Sequence, residues 1–256
     1  MGLPSVLAQT SVDTGKTDAT TFNVYDGFET PALSDLWEHS RLVDSAVVME
    51  SQVVRSGHQA VAITVRPGDV FEAGQNGNAD SERDELLEAR ALTAREGSSY
   101  EQTFSMYFPL DFPIVPTRLV IAQWKQYCGK DDTPCSDDSP VLALRYIDGT
   151  LLITQDIDKK HIVLYQDKAE FRGRWLDFKA RVRFAPNATG RVKVWLGDKL
   201  LVDHKGVTAD AETPETGYAS PGHFYFKMGL YRNVMKEPMT VYIDEYRKRV
   251  LGHDGF

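Results

Sequence analysis

A run of ten residues, 223–232, combines groups able to transfer protons and bind anions with a strongly apolar set. Because side chains alternate between the two faces of a β-strand, one predicted face is apolar and carries Phe224, Phe226, Met228 and Leu230. The opposite face carries Tyr225, Lys227, Gly229 and Tyr231. Lys227 and Tyr231 are about 13 Å apart at roughly 3.3 Å per residue, which spans neighbouring sugars of a bound chain. The glycine between them predicts either room for a sugar ring close to the backbone or a bulge in an outer strand face.

Two further segments carry polar groups of the same chemical kinds. Residues 118–125 read as a strand on which Gln123 and Lys125 share a face with apolar residues. Since a buried lysine is rare unless it is paired, either Lys125 takes part in chemistry or the strand end emerges into solvent there. Asn78, Arg83 and Glu85 lie in a dense mixture of charges that by itself is typical of a solvated loop.

In this order along the chain, the three segments resemble the motifs of the heparin lyase I-like and alginate lyase-like β-jelly-roll polysaccharide lyases. The Arg-x-Glu-Leu element is matched by residues 83–86, and the Gln-x-His element by Gln123-Trp124-Lys125. The Tyr-Phe-Lys-x-Gly-x-Tyr element is matched by residues 225–231. Residues 26–29 and 241–244 are similar to the family's ends, so the resemblance spans residues 22–249.

The resemblance implies an enzyme that cleaves an acidic polysaccharide by β-elimination. This reaction removes the C5 proton of a uronate and expels the 4-O-linked sugar, so the site must neutralise the carboxylate and stabilise the developing enolate charge. The resemblance assigns this task to Gln123 and Arg83, since a guanidinium fork binds both carboxylate oxygens. It assigns Tyr231 as the base, the acid or both. Neighbouring cations would favour the phenolate; those cations are Lys227, Arg83 and Lys125.

A second set of residues is expected to bind the polymer. It comprises Lys227, Tyr225, Arg232, Asn78 and Glu85, and Glu85 is also expected to orient Arg83. Lys125, predicted as catalytic, is a departure from the family, which has histidine there. The substitution leaves a lysine-assisted site, a tyrosine-only site, or a weakened or inactive one.

Two other functions compete with the lyase. Glu82, Asp84 and Glu88 form a Glu-x-Asp-x-x-x-Glu pattern that resembles the catalytic strand of laminarinase-like retaining glycoside hydrolases, which need two carboxylates about 5–5.5 Å apart. The residues between these acids differ from the usual apolar ones, and the 223–232 segment is left without a role. The third reading is a non-catalytic carbohydrate-binding sandwich, which the Lys125 substitution keeps open.

The elements that must position these residues read as strands. Short β-type runs recur between turn signals, and helical periodicity is scarce apart from residues 83–94, which are also readable as a strand and loop. This pattern predicts an all-β fold, an antiparallel β-sandwich of the jelly-roll kind with a concave substrate groove. We expect one domain over residues 22–251, a disordered or processed lead over 1–21 and a tail over 252–256.

Charge and cysteine content bound the partners. A net charge of −8 argues against nucleic acid but allows a local basic groove, and few basic residues favour an unsulfated uronate polymer. Cys128 and Cys135 predict a disulfide in an oxidising compartment, or else two free thiols. We expect a secreted or periplasmic monomer without a membrane segment. We expect no required cofactor; the acidic loop around the cysteines is either a calcium site or, more simply, solvated, and its residues are Asp131, Asp132, Asp137 and Asp138.

Overall fold

The computed structural model describes residues 22–69, 81–128, 133–134, 139–211, 222–252 and 255–256. The predicted lead over residues 1–21 lies outside the described residues. So do Asn78, Cys135 and all four acidic residues of the predicted calcium loop. The predictions made for those positions stay predictions.

The regular secondary structure of the described residues is almost entirely β-strand, as the alternating apolar pattern predicts. The strands are β1 (Asn23–Asp26), β2 (Trp37–Glu38), β3 (Val47–Glu50), β4 (Ala60–Val65), β5 (Ser81–Glu88), β6 (Ala94–Arg95), β7 (Ser99–Tyr107), β8 (Leu119–Cys128), β9 (Thr133–Pro134), β10 (Leu142–Ile147), β11 (Thr150–Ile157), β12 (Lys160–Lys168), β13 (Trp175–Arg183), β14 (Arg191–Leu196), β15 (Lys199–Lys205), β16 (His223–Asn233) and β17 (Met239–Leu251). Three single 3₁₀ turns lie at His39–Arg41, Asp44–Ala46 and Arg90–Leu92.

The strands form two antiparallel sheets. The eight-stranded sheet has the order β15-β14-β13-β7-β17-β4-β3, with β1 paired to β17. The nine-stranded sheet has the order β12-β11-β10-β8-β16-β5-β2, with β6 paired to β16 and β9 to β8. The prediction of an all-β, antiparallel jelly-roll sandwich is confirmed, and residues 83–94 form a strand and a turn rather than a helix.

The core lies between the two sheets and is built from the apolar faces of their strands. The four residues predicted for the apolar face of β16, Phe224, Phe226, Met228 and Leu230, have no exposed surface. The Phe226 ring lies 4.8 Å from that of Trp124 on β8 and 5.6 Å from that of Phe104 on β7, in the other sheet. Large aromatic rings bury about 150–250 Å² each, so these contacts fix which face of β16 and of β8 is internal.

Charged residues are also buried in this interior, and Lys248 and Glu88 form one of its ion pairs. Lys248 donates from Nζ to Glu88 Oε2 and to the Leu92 carbonyl, both at 2.6 Å, and Tyr246 and Gln102 also donate to Glu88. Such a network stabilises buried charge because its donors are hydrogen-bonded to acceptors inside the protein.

The structure contradicts the prediction that Arg232 binds substrate. Its side chain is fully buried on the inner face of β16, and its Nε and Nη2 donate to Glu82 Oε2 at 3.0 and 2.7 Å. Its Nη1 donates to the carbonyl of Glu237 at 2.5 Å. With these donors engaged inside the protein, Arg232 is a structural residue.

The same burial removes the hydrolase alternative. Glu82 pairs with Arg232 and Glu88 with Lys248, while Asp84 accepts a hydrogen bond from the Val43 amide at 2.8 Å. All three acids lie on the inner side of β5, with at most 2% of their surface exposed. They therefore do not form an exposed carboxylate pair.

Candidate active site

The three predicted segments are neighbours on the outer face of the nine-stranded sheet. Strand β16 lies between β8 and β5, so that Lys227 pairs with Gln123 on one side and Tyr231 with Arg83 on the other. Because Trp124 and Phe226 point into the core, Gln123 and Lys227 point outward. The long-range pairing thus brings together side chains that are far apart in the chain.

A buried carboxylate, Glu85, lies at the centre of this face. Gln123 donates from Nε2 to Glu85 Oε1 at 2.5 Å. Glu85 Oε2 lies 3.1 Å from Lys227 Nζ and 3.2 Å from Arg83 Nε, contacts that are ion pairs rather than well-aligned hydrogen bonds. The predicted orientation of Arg83 by Glu85 agrees with this contact. Only 1% of Glu85 is exposed, so it holds its three neighbours in position and does not bind substrate as predicted.

Burial and neighbouring charge act in opposite directions on this group of residues. Burial would raise the pKa of Glu85, but Lys227, Arg83 and the Gln123 hydrogen bond outweigh it and bring that pKa below its usual value. Burial lowers the pKa of Lys227 well below its usual value, and the charges of Arg83 and Lys125 add to this effect while Glu85 opposes it. The carboxylate therefore stays ionised beneath a face that carries an excess of cations.

Tyr231 is partly exposed and lies against two guanidinium groups. The Cζ atoms of Arg83 and Arg118 are 4.1 and 4.6 Å from the centroid of its ring. These arginines come from the β5 side and the β8 side of β16. Cations against an aromatic ring are stabilised by its π-electrons, so the arrangement fixes the ring and surrounds it with positive charge.

Of the two roles predicted for Gly229, the structure agrees with the bulge in the strand and not with room for a sugar ring. Its φ is +140°, and a Cβ atom there would lie 2.5 Å from the Asp84 carbonyl oxygen on β5. The register between β16 and β8 also shifts between Met228 and Tyr231. The space predicted for a sugar ring is therefore filled by the β5 backbone, and the regular pairing of β16 with β5 sets Tyr231 opposite Arg83.

At the other end of the face, Tyr225 packs against Tyr127 with ring centroids 4.4 Å apart. Burial raises the pKa of Tyr225, and the neighbouring Tyr127 raises it further. This hydroxyl keeps its proton, so of the two tyrosines on β16 only Tyr231 offers an accessible group for proton transfer. Substrate binding by Tyr225 stays a prediction.

Lys125 lies directly opposite Tyr225 in the pairing of β8 with β16 and is partly exposed. It faces outward with Gln123, and its charge lowers the pKa of Lys227. The residue that replaces the family histidine is thus located on the site's face, and its catalytic role stays a prediction.

Two arginines of this face were missed by the sequence reasoning. Arg118 stacks on Tyr231, and Arg145 on β10 donates from Nε to Thr154 Oγ1 at 3.1 Å and lies 3.8 Å from Asp156. Burial lowers the pKa of Arg145, and the charge of Arg118 lowers it further. The available signal was Arg145 itself, the only charged residue in the apolar strand β10.

Neither a metal centre nor a membrane segment is found in the part of the chain that the structure describes. No three or more side chains of His, Cys, Asp or Glu are grouped there so as to hold an ion. No helix in these same residues has the length and apolar character needed to cross a bilayer.

Comparison with known proteins agrees with the fold and the motifs. A family model described as polysaccharide lyase matches residues 17–247. The endo-β-1,4-glucuronan lyase from the fungus Trichoderma reesei superposes with a TM-score of 0.62 at 18% identity, over 82% of this chain and 88% of that one.

Two alginate lyases share the fold at lower similarity. AlgAT5 from polysaccharide lyase family 7 has a TM-score of 0.55 at 14% identity, covering 83% of this chain and 86% of that one. The enzyme from Aplysia kurodai has a TM-score of 0.52 at 10% identity, covering 81% and 88%. No curated protein sequence matches this chain.

Proposed function

This chain belongs to the polysaccharide lyase family and is a polysaccharide lyase, and we propose that it cleaves an unsulfated uronate polymer by β-elimination, with Tyr231 transferring the protons. The observation that carries the proposal is the position of Tyr231. Its ring is partly exposed on the outer face, between Arg83 and Arg118 and beside the buried Glu85.

In the proposed reaction, cationic and amide donors first neutralise the carboxylate of the bound uronate. Arg83 and Gln123 are the donors assigned by the family motifs, and Glu85 holds both in position. Neutralisation makes the C5 proton more acidic, because the electrons left on C5 are delocalised into a carboxyl group that no longer repels them. Donors held in place beforehand need no reorganisation when the charge develops.

Tyr231 then transfers a proton twice, first from C5 of the uronate and then to O4 of the leaving sugar. As a phenolate it accepts the C5 proton, and the C5–H electrons form the C4=C5 double bond as the C4–O4 bond breaks. As a phenol it returns a proton to O4 of the leaving sugar, which restores the phenolate. The guanidinium groups of Arg83 and Arg118 place positive charge beside the ring that carries out both steps.

Lys227 and Lys125 complete the proposed site. Lys227 is buried against Glu85, so we place it as a residue that fixes the carboxylate rather than one that contacts many sugars. Lys125 is partly exposed and supplies positive charge where the family has histidine. We propose no metal requirement, because guanidinium and amide groups supply the neutralisation.

The polymer is proposed from the balance of charge and from the relatives. Glu85 and Asp156 partly compensate the site's cations, which favours one carboxylate per sugar over dense sulfation. The glucuronan lyase superposes with a higher TM-score than the two alginate lyases reported above, which makes a glucuronan the first polymer to test.

Location and assembly complete the proposal. A uronate polymer is too large to cross a membrane, so we propose that the enzyme acts outside the cytoplasm as a monomer. An oxidising compartment would also allow the bond between Cys128 and Cys135.

The test is a panel of glucuronan, alginate, an unsulfated glycosaminoglycan and heparin. Unsaturated ends are followed by ultraviolet absorbance, and products are weighed by mass spectrometry. We expect unsaturated products from at least one unsulfated polymer, each one water lighter than the hydrolysis product. Saturated products, or cleavage of heparin alone, would contradict the proposal.

A further inference from the structure

Arg118 has buried donors that no group in the described part of the chain satisfies. Its Nε and Nη2 atoms have almost no solvent contact and no hydrogen-bond partner there. Leaving a buried charged donor unpaired costs more free energy than a typical hydrogen bond contributes to stability. A guanidinium in this state is positioned for a ligand that supplies the acceptors.

The edge of Arg118 that carries Nε and Nη2 has the geometry that binds a carboxylate. Nε and Nη2 lie along the same edge of the planar guanidinium group and present two parallel N–H groups. Arg232 in the same protein shows the contact that this edge makes, because its Nε and Nη2 both donate to the carboxylate of Glu82. Arg118 offers the same pair of donors beside Tyr231.

The other arginines around Tyr231 already have partners. Arg83 pairs with Glu85, and Arg145 contacts Thr154 and Asp156. Arg145 and Arg118 are close enough for their charges to repel, since Arg118 lowers the pKa of Arg145. An anion at Arg118 would relieve both the repulsion and the unpaired donors.

We propose that Arg118, supported by the charge of Arg145, forms a second carboxylate subsite beside Tyr231. This inference rests on the proposed function. Arg83 and Gln123 take the carboxylate of the uronate that loses its C5 proton, and Arg118 takes the carboxylate of the adjacent uronate. The enzyme therefore selects polymers in which uronates are consecutive, rather than those in which a uronate alternates with a neutral sugar.

The first test compares kcat/KM on two unsulfated polymers, a glucuronan and a glycosaminoglycan with alternating glucuronate. We expect kcat/KM of the wild-type protein to be at least about 100-fold higher on glucuronan, which corresponds to a difference of about 2.7 kcal/mol in transition-state stabilisation. Because Arg118 also stacks on Tyr231, Arg118→Met should lower kcat/KM on both polymers, and it should reduce the preference for glucuronan over the alternating polymer about 10- to 100-fold. Arg118→Lys keeps the charge without the guanidinium fork. Its preference for glucuronan should lie between those of wild type and Arg118→Met.

The control is Arg172→Met, which removes a partly exposed arginine paired with Glu170, and its preference should match wild type. An unchanged preference in Arg118→Met would overturn the subsite.

A binding arm separates this inference from the proposed function. Saturated glucuronate oligosaccharides and the same oligosaccharides with reduced carboxyl groups are titrated calorimetrically into wild type and Arg118→Met. If wild type cleaves no polymer, the proposed function fails. A tenfold weaker binding of the acidic oligosaccharide to Arg118→Met, with no change for the reduced one, would still support the subsite, and equal binding would overturn it.

Discussion

Buried charges lie on both faces of the nine-stranded sheet, and the two sets differ in how completely they are paired. On the inner face, Arg232 directs three donors to Glu82 and a backbone carbonyl, and Lys248 is bonded to Glu88. On the outer face, Glu85 is shared among Lys227, Arg83 and Gln123, while Arg118 keeps two donors without partners in the described residues.

The difference separates structural charge from charge held for a ligand. Both sets carry similar residue types and alternate along β5 and β16, so composition alone does not distinguish them. A paired buried arginine stabilises the fold only if its partner stays, whereas an unpaired one costs stability until a ligand arrives. The predictions below test this distinction, beginning with the largest expected effect.

Arg232→Met should destabilise the protein by about 3–5 kcal/mol, because it leaves Glu82 buried and unpaired. Urea unfolding measures this loss, and kcat per folded molecule should equal that of wild type. The double variant Glu82→Leu/Arg232→Met is the control, and it should recover most of the stability. A loss of kcat in the folded fraction would contradict the structural role.

Glu85→Gln should lower kcat by about 100-fold, equivalent to about 2.7 kcal/mol, since Arg83, Lys227 and Gln123 lose the charge that positions them. The matched control is Glu101→Gln, whose carboxylate is bound by Arg181 and Arg249 on the other sheet. Steady-state kinetics should show no change in the control. Equal effects of the two substitutions would mean that the outer-face network has no special role.

Lys125→Ala should lower kcat about tenfold while leaving the affinity for saturated oligosaccharide within about twofold, because its charge supports the transition state more than the bound substrate. Kinetics and calorimetry on the same preparation separate the two quantities. If affinity falls and kcat does not, Lys125 is a binding residue.

Asp84→Asn should change how stability depends on pH. Burial, with the neighbouring Asp69, raises the pKa of Asp84 from 3.8 to about 8 in the folded protein. The folded form therefore holds a proton that the unfolded chain releases, and the free energy of unfolding falls as pH rises from about 4 to about 8. Asparagine stays neutral, so the free energy of unfolding of the variant should gain on that of wild type by up to about 1.4 kcal/mol for each pH unit between these values, measured by thermal unfolding. A parallel pH profile would contradict the raised pKa.

The alternation of side chains predicted the inner and outer faces of β16, and the family motifs predicted which outer residues matter. The same alternation assigns Arg232 to the inner face. The prediction that Arg232 binds substrate was wrong because it extended the role of the 225–231 motif to the next residue. Arg118 and Arg145 were missed because their approach to Tyr231 depends on the pairing of β8, β10 and β16 across long stretches of chain. The role of Gly229 likewise depends on the β5 backbone beside it.

The central claim is that Tyr231 transfers the protons, and Tyr231→Phe tests it most directly. The control is Tyr242→Phe, a partly exposed tyrosine of the other sheet. Formation of unsaturated ends on the best polymer of the panel is measured beside calorimetric binding of a saturated oligosaccharide. We predict that Tyr231→Phe loses at least about 1,000-fold in kcat, or about 4 kcal/mol of transition-state stabilisation, with binding within about threefold and the control unchanged. A Tyr231→Phe protein that turns over at the wild-type rate would contradict the account.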